Sequence, residues 1–426
     1  MTNGKSKKKA SSFTRVKNPS KSDKPSKSDK IKPGDWIYLD GNYKLYPEIE
    51  KCYMKILKNQ TSPNDIINKI TEYKTYLLSI CNTTSSEYSA YFTSGEIESN
   101  NILLTCAVNA YSKLKKIKPH IIISATEHNS ILTHAYSLRD SGLIEMDLVY
   151  PNSYGCILSE SIPSLIKPNT CLAIITYINQ EMGSVNNIEK IGSILHTKKI
   201  PIHSNCSDMF GIHKLDLKKN MIDSVAISFD KIGGPVDVGV LIINNSFFTG
   251  YALWEHSTTL ENKRKYNIPS IASAIEATKN SKPDRIVKNE MIAKFRNEII
   301  TELGKNSQSL TFANFMKSDE PPLHELETSN RKFIILGPPI DNTAYYTPGI
   351  LSFMIINKTG IQAKDIKSKL ENKGIIIGIP DLSKNNMYTS MGVPDDAQKF
   401  IIRLRLSDLI THEHITKFLK CLNNLI

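Results

Sequence analysis

Ser224-Val-Ala-Ile-Ser-Phe-Asp-Lys-Ile-Gly-Gly-Pro-Val-Asp-Val-Gly-Val-Leu-Ile-Ile243 decides the architecture of this chain. A β-branched run meets one lysine, a Gly-Gly-Pro turn and a second apolar run, the pattern of two buried strands joined by a tight connection. Lys231 is thereby presented as a single amine at a strand end, where it can condense with an aldehyde. Taken alone, a lysine before a glycine turn is usually a solvated surface charge. The weight of the reading lies in four segments upstream of it.

These segments are Thr93-Ser-Gly-Glu-Ile-Glu-Ser-Asn-Asn101, Ser124-Ala-Thr-Glu-His128, Asn179-Gln-Glu-Met-Gly183 and His203-Ser-Asn-Cys-Ser-Asp208. In order and spacing they resemble the T-S-G-A-T-E-S-N-N, S-x-x-E-H, N-N-E-I-G and H-x-D-A-x-Q motifs of NifS-like cysteine desulfurases. Those proteins are the class V branch of the fold-type I pyridoxal phosphate (PLP) enzymes. One such match is weak, but several in register are not. Farther on, Ile402-Arg-Leu-Arg-Leu406 is similar to the family's I-R-F-S-L strand.

The resemblance implies an α/β fold with a mostly parallel central sheet. It implies a large PLP-binding domain over residues 34–290, a smaller α+β domain over 291–426, and a homodimer closing the site. It places the Schiff base on Lys231, ring stacking on His128 and the substrate carboxylate on Arg403. The cofactor phosphate falls to Gly95, Glu96 and Ile97, with Ser228 and Asp230 beside it and Lys265 reaching over from the partner subunit. Asn179 and Gln180 lie by the phenolic oxygen, Asn205 by the pyridine nitrogen, and Asp208 at the family's glutamine position. An amino acid is the implied substrate.

Several positions depart from that pattern. Asn205 stands where the family has aspartate, so the ring nitrogen meets a neutral amide. Losing a preorganised charge where charge develops costs about two to three orders of magnitude in rate. Glu96-Ile97 replaces Ala-Thr and Asp230 replaces histidine, setting two acids around a dianion site, where like charges disfavour each other. A lysine or arginine of Asn262-Lys-Arg-Lys265 could neutralise one of them. The cysteine that attacks substrate sulfur precedes a Leu-Gly-Val helix end in the family. Here Met391-Gly-Val393 follows the loop Gly374 to Lys384, and no cysteine lies between Cys206 and Cys421. The chain therefore reads as cysteine desulfurase-like with a degenerate site, either a PLP enzyme of changed chemistry or a pseudoenzyme that binds through its fold.

Composition bounds the remainder. The chain has 426 residues, two-fifths of them apolar, enough to bury a full core. No run reaches the length and apolarity of a membrane span, and no apolar signal region opens the sequence. Seven cysteines without a C-x-x-C pair suggest reduced thiols and an intracellular, cytoplasmic protein. Of the net charge of +12, residues 1–32 carry +9, from ten Lys and one Arg against two Asp. Within them Pro19-Ser-Lys-Ser-Asp-Lys24 repeats as Pro25-Ser-Lys-Ser-Asp-Lys30, so residues 1–33 read as a disordered basic tail. That tail is either a solubilising extension or an arm for nuclear import or weak nucleic-acid contact.

Helix-period text is expected over 65–81, 98–116, 188–197, 271–303 and 363–372. Strands are expected at 120–124, 171–177, 350–356 and 401–406, with the motifs at strand C-terminal ends, where α/β sheets bind ligands. His203 reads as structural, His412 and His414 lack a third ligand, and Cys206 reads as a small buried hydrophobe.

Overall fold

The computed structural model describes residues 36–41, 45–58, 62–248, 266–281, 285–305, 308–311, 332–337, 346–356, 360–380 and 387–426. The basic tail, Lys265 and part of the loop before Met391 lie outside them.

Residues 37–426 form one compact unit organised around two main sheets. The larger has seven strands: β2 (Tyr88–Thr93), β3 (His120–Ser124), β4 (Glu145–Val149), β5 (Thr170–Ile174), β6 (Ile202–Asn205), β7 (Ser224–Ser228) and β8 (Gly239–Asn244). Their spatial order is β2-β8-β7-β6-β5-β3-β4, and only β8 runs against its neighbours, pairing antiparallel with both β2 and β7. The sheet is thus mostly parallel. The inner strands β3, β5 and β7 are buried throughout, which is why they read as largely apolar runs, whereas the edge strand β4 is mostly not buried.

Alternate residues feed two different cores. Ile122, Ala173, Val225, Ile227 and Ile242 pack on one face, and Ile121, Ile123, Leu172, Ile174, Leu241 and Ile243 on the other. This is the period-two geometry of a strand. Five helices of the larger layer have these bounds: α1 (Pro47–Lys58), α2 (Pro63–Ile80), α3 (Glu96–Lys115), α4 (Asn129–Asp140) and α5 (Ile188–His196). Helix α2 starts where Ser62 accepts from Asp65 N–H at 3.2 Å, with Pro63 supplying a preset φ. The expected single helical stretch over 271–303 is two helices, α6 (Ile268–Asn280) and α7 (Arg285–Gly304); Pro283 falls between them, where its missing N–H and fixed φ oppose continuation.

The smaller sheet joins β9 (Gln308–Thr311), β10 (Lys332–Leu336), β11 (Ile350–Ile356) and β13 (Ile401–Arg405) in the order β13-β11-β10-β9. Beside it, β1 (Ile37–Leu39) pairs in parallel with β12 (Ile375–Ile377). Helices α8 (Ala363–Glu371) and α9 (His412–Asn423) pack with α7 on one face of this sheet. Its other face receives Met182 from the larger layer, against Ile334, Leu336, Met354 and Ile401. Thr347 N–H donates to Gly183 O at 2.8 Å in the same seam. The loop 179–184 is thereby pinned across the two sheets, and it carries the Asn-Gln-Glu-Met-Gly motif to strand β13.

Candidate active site

Lys231 lies on a 3-10 turn, Phe229–Ile232, directly after β7. Gly233 follows with φ +74°, and a Cβ there would strike the Tyr46 ring at 2.7 Å, so the turn can close only with glycine. The Lys231 side chain is 19% exposed and its Nζ stands 3.4 Å from Asp230 Oδ2. Ser228 Oγ donates to the other Asp230 oxygen at 2.5 Å. Serine, aspartate and lysine thus form one chain of contacts at the strand end.

The Thr-Ser-Gly turn lies beside it. Gly95 caps α3 with φ +151° and ψ −172°, a backbone conformation open to glycine. Gly239, the first residue of β8, faces it so closely that a Cβ on Gly239 would lie 2.6 Å from Gly95 Cα. A Cβ on Gly95 would point to Ser228 Oγ at 3.6 Å. The space left by these missing side chains is a cradle at a helix N-terminus, and first-turn amides offer donors there. Glu96, the first residue of the helix, is buried, whereas Ile97 is half exposed.

His128 caps α4: its Nδ1 accepts from Ser130 N–H at 3.1 Å, which fixes the ring at the β3 exit. The preceding Glu127 is buried, with one carboxyl oxygen accepting from Thr176 N–H and the other without a partner. Burial, together with the nearby charge of Glu96, pushes its carboxyl up to about 8. At the end of β6, Asn205 Oδ1 accepts from Ser207 N–H at 3.1 Å. What Asn205 then offers a ring nitrogen is its Nδ2–H, a donor that suits a neutral nitrogen rather than a protonated one.

Two arginines on β13 complete the site, and both are held by acids. Arg403 is joined through Nη1 to Glu181 Oε1. Arg405, 5% exposed, donates to Asp208 Oδ1 at 2.7 Å and to Gln180 O at 2.9 Å. Asp208 is therefore engaged by Arg405. Asn179 is spent on the turn itself: its Oδ1 accepts from Glu181 N–H at 2.8 Å and Met182 N–H at 3.0 Å, and its Nδ2 donates to Thr126 O at 2.9 Å.

The remaining candidates are structural. His203 sits between Asn100 Oδ1 at 2.8 Å and Ser224 Oγ at 2.9 Å, and burial pushes it down to about 3, a neutral core imidazole. Cys206 is buried, which raises its thiol. His414 serves the capping box of α9, and His412 contacts Glu298 at 3.1 Å. Among the described residues no group of three ligands could hold a metal, and no helix is long and apolar enough to cross a membrane.

The structure thus brings Lys231, Asp230, Ser228, Gly95 and Glu96 together at one end. It brings Gln180, Asp208, Arg403 and Arg405 together at β13. Sequence reasoning gave no role to Glu127, Glu181 or Tyr388, although the first two lie inside the quoted motifs. Tyr388, whose OH lies 3.3 Å from Glu181 Oε2 and 3.3 Å from Ser352 Oγ, had no local signal.

A family model for aminotransferase class-V matches residues 53–278. A cysteine desulfurase IscS from Plasmodium falciparum is 34% identical over 174 residues, 41% of this chain and 31% of that protein. A putative cysteine desulfurase NifS from Bacillus subtilis is 34% identical over 196 residues, 46% of this chain and 49% of that protein. The chain thus aligns with less than half the length of either. A cysteine desulfurase IscS from Methanosarcina thermophila is 25% identical over 345 residues, covering 80% and 78%. Among solved structures, a NifS-like protein superposes with a TM-score of 0.72 at 19% identity, covering 92% of this chain and 99% of that one. A NifS-like protein from Rickettsia africae gives 0.71 at 20% identity, with the same coverage.

PLP is the cofactor these matches imply. In the roles the resemblance implies, Lys231 suits the aldehyde, His128 and Asn205 the ring, and the first-turn amides of α3 beside Gly95 the phosphate. Glu96 and Asp230 are charges at that cradle opposed to it.

Proposed function

The chain belongs to the class-V aminotransferase family, and from that premise we propose that it binds PLP through Lys231 and acts on an amino acid by a route other than persulfide desulfuration. The observation that carries this is the pairing of a retained strand-end lysine with the absence of any cysteine between Cys206 and Cys421. When bound, the cofactor supplies an aldehyde for the amine and a ring that draws electrons from the substrate's α-carbon. Asp230 holds the Lys231 ammonium and must release it before the amine can react. Arg403 receives the substrate carboxylate once Glu181 lets go of it, and Lys231 carries the proton to and from the α-carbon. Asn205, as a donor to a neutral ring nitrogen, makes the electron sink weak. The reading includes a homodimer.

Purified protein incubated with PLP is expected to gain a visible absorption band that Lys231→Ala lacks. Screening amino acids should then change that band without releasing sulfide from cysteine. Sulfide release would overturn the exclusion of desulfuration. A protein that takes up no PLP would be a pseudoenzyme, and the locked Arg403 and Asp208 support that second reading.

The charge of residues 1–32 supports a separate reading of them as a nucleic-acid-binding arm. Salt-sensitive binding that disappears on their deletion tests it, and binding that survives the deletion removes it.

A further inference from the structure

Two carboxyl oxygens lie buried and without a partner, one on the first turn of α3 and one after β3. Glu96 is 9% exposed with a bare Oε2, and Glu127 is 5% exposed with a bare Oε2. The two sense each other, since the charge of Glu96 contributes to raising Glu127. Native proteins leave few buried polar atoms unpaired, so a bare carboxyl oxygen at the start of α3 and a second after β3 call for an explanation. Among the described residues neither carboxyl is in an ion pair. Asp230, at the neighbouring strand end, is paired with Lys231 and accepts the Ser228 hydroxyl hydrogen bond, leaving that serine only lone pairs to offer an incoming oxygen. Glu98 closes the outer side of the turn by accepting from Ser94 N–H.

The buried, unpaired Glu96 carboxylate on that turn is a poor neighbour for a phosphate dianion. A like charge within about 4–6 Å disfavours the charged form of either group. A ligand with the same ring and aldehyde, but with a hydroxyl where the phosphate would be, avoids this repulsion. It also gives a bare carboxyl oxygen a donor. Resting on the reading that Lys231 binds the cofactor's aldehyde, we propose that the Glu96 carboxylate sets cofactor specificity, lowering the pocket's preference for PLP over unphosphorylated pyridoxal.

Full-length protein is titrated with PLP and with pyridoxal, reading the visible band that depends on Lys231. The same titrations are made on Glu96→Gln and Glu96→Ala. Free pyridoxal closes partly on itself, so the deciding quantity is the change in the ratio of the two affinities. The ratio is expected to shift toward PLP by at least about tenfold in both variants, with pyridoxal binding unchanged within about twofold. Glu96→Gln keeps the shape and removes the charge. A shift in Glu96→Ala alone would therefore make the effect steric and overturn the proposal. A ratio that stays constant or moves toward pyridoxal overturns it as well, the latter showing that the carboxyl donates to the phosphate. These outcomes leave the Lys231 reading standing. A missing Lys231-dependent band with either aldehyde, in every variant, overturns both.

Discussion

Glu181 Oε1 and Arg403 Nη1 are in direct contact, so the arginine that resemblance assigns to a substrate carboxylate already holds a protein one. The pair is mostly shielded, each side chain 18% exposed, and charge-assisted bonds of this kind are the strong ones. Tyr388 OH and Ser352 flank it, with the Ser352 hydroxyl donating to Glu181 O. An incoming carboxylate must displace Glu181.

Glu181→Gln should therefore tighten binding of amino acids by about tenfold, the worth of one exchanged charge-assisted bond. It should leave the corresponding decarboxylated amines unaffected. Spectral titration of the PLP-loaded protein with an amino acid and its amine measures both. Equal effects on the two would show that Glu181 does not compete for Arg403.

The second pair, Asp208 with Arg405, is two departures from the family motifs that compensate each other, acid for glutamine and arginine for serine. Removing one partner of a buried pair costs about 3–5 kcal/mol because the other charge is stranded. Asp208→Asn should fall near the lower end, since Gln180 O still accepts from Arg405. The double change Asp208→Gln with Arg405→Ser should recover a kilocalorie or more relative to additivity, roughly the coupling expected of contacting residues. Urea unfolding of the four proteins in the cycle measures it. Strict additivity would mean that the two side chains act independently.

The larger layer was legible because its signals are local. The strand at His120–Ser124 and the helix starting at Ile188 stand where apolar periodicity placed them, and Lys231 stands at its strand end. Strand β1 was not legible: three residues, Ile37–Leu39, pair with Ile375–Ile377 more than 300 positions away, and nothing within either run names the other. The same holds for the site. Gly95 and Glu96 were found by motif, but the locks on Arg403 and Asp208 are contacts between distant segments. The burial that raises Glu127 depends on layers packed above it. The close approach of Gly239 to Gly95 left only a glycine in the sequence, one of 20.

Glu127 should give stability a recognisable pH dependence. Its carboxyl is raised from 4.5 to about 8 in the folded protein, so the folded state holds the proton more tightly than the unfolded one. The stability this contributes is full below about pH 4.5 and is lost as pH rises to about 8. His203 acts with the opposite sign: lowered from 6.5 to about 3, it costs stability as pH falls through that interval. The difference between wild type and Glu127→Gln isolates the glutamate. Wild type should lose a few kcal/mol relative to the variant between pH 4.5 and 8, on the order of 1.4 kcal/mol for each tenfold fall in proton concentration. Denaturant midpoints across that range measure the slope, and parallel profiles would place an ionised Glu127 in the core.

Gly239→Ala tests how tightly the cradle is built. The added Cβ would sit 2.6 Å from Gly95 Cα and 2.7 Å from Ile227 O, both backbone atoms that cannot rotate aside. Overpacking of this kind costs about 1–3 kcal/mol. The displaced segment is the start of α3, so the strain should also reach cofactor binding. The variant is expected to weaken both PLP and pyridoxal by several-fold, since it widens the cradle without changing its charge. Gly142→Ala is the control: its φ of +76° makes alanine unfavourable, but nothing lies within 4 Å of the new methyl. That variant should lose about 1 kcal/mol with cofactor affinity unchanged. If Gly239→Ala behaves like the control, with stability lowered and binding intact, the contact between the two glycines serves the sheet and not the site.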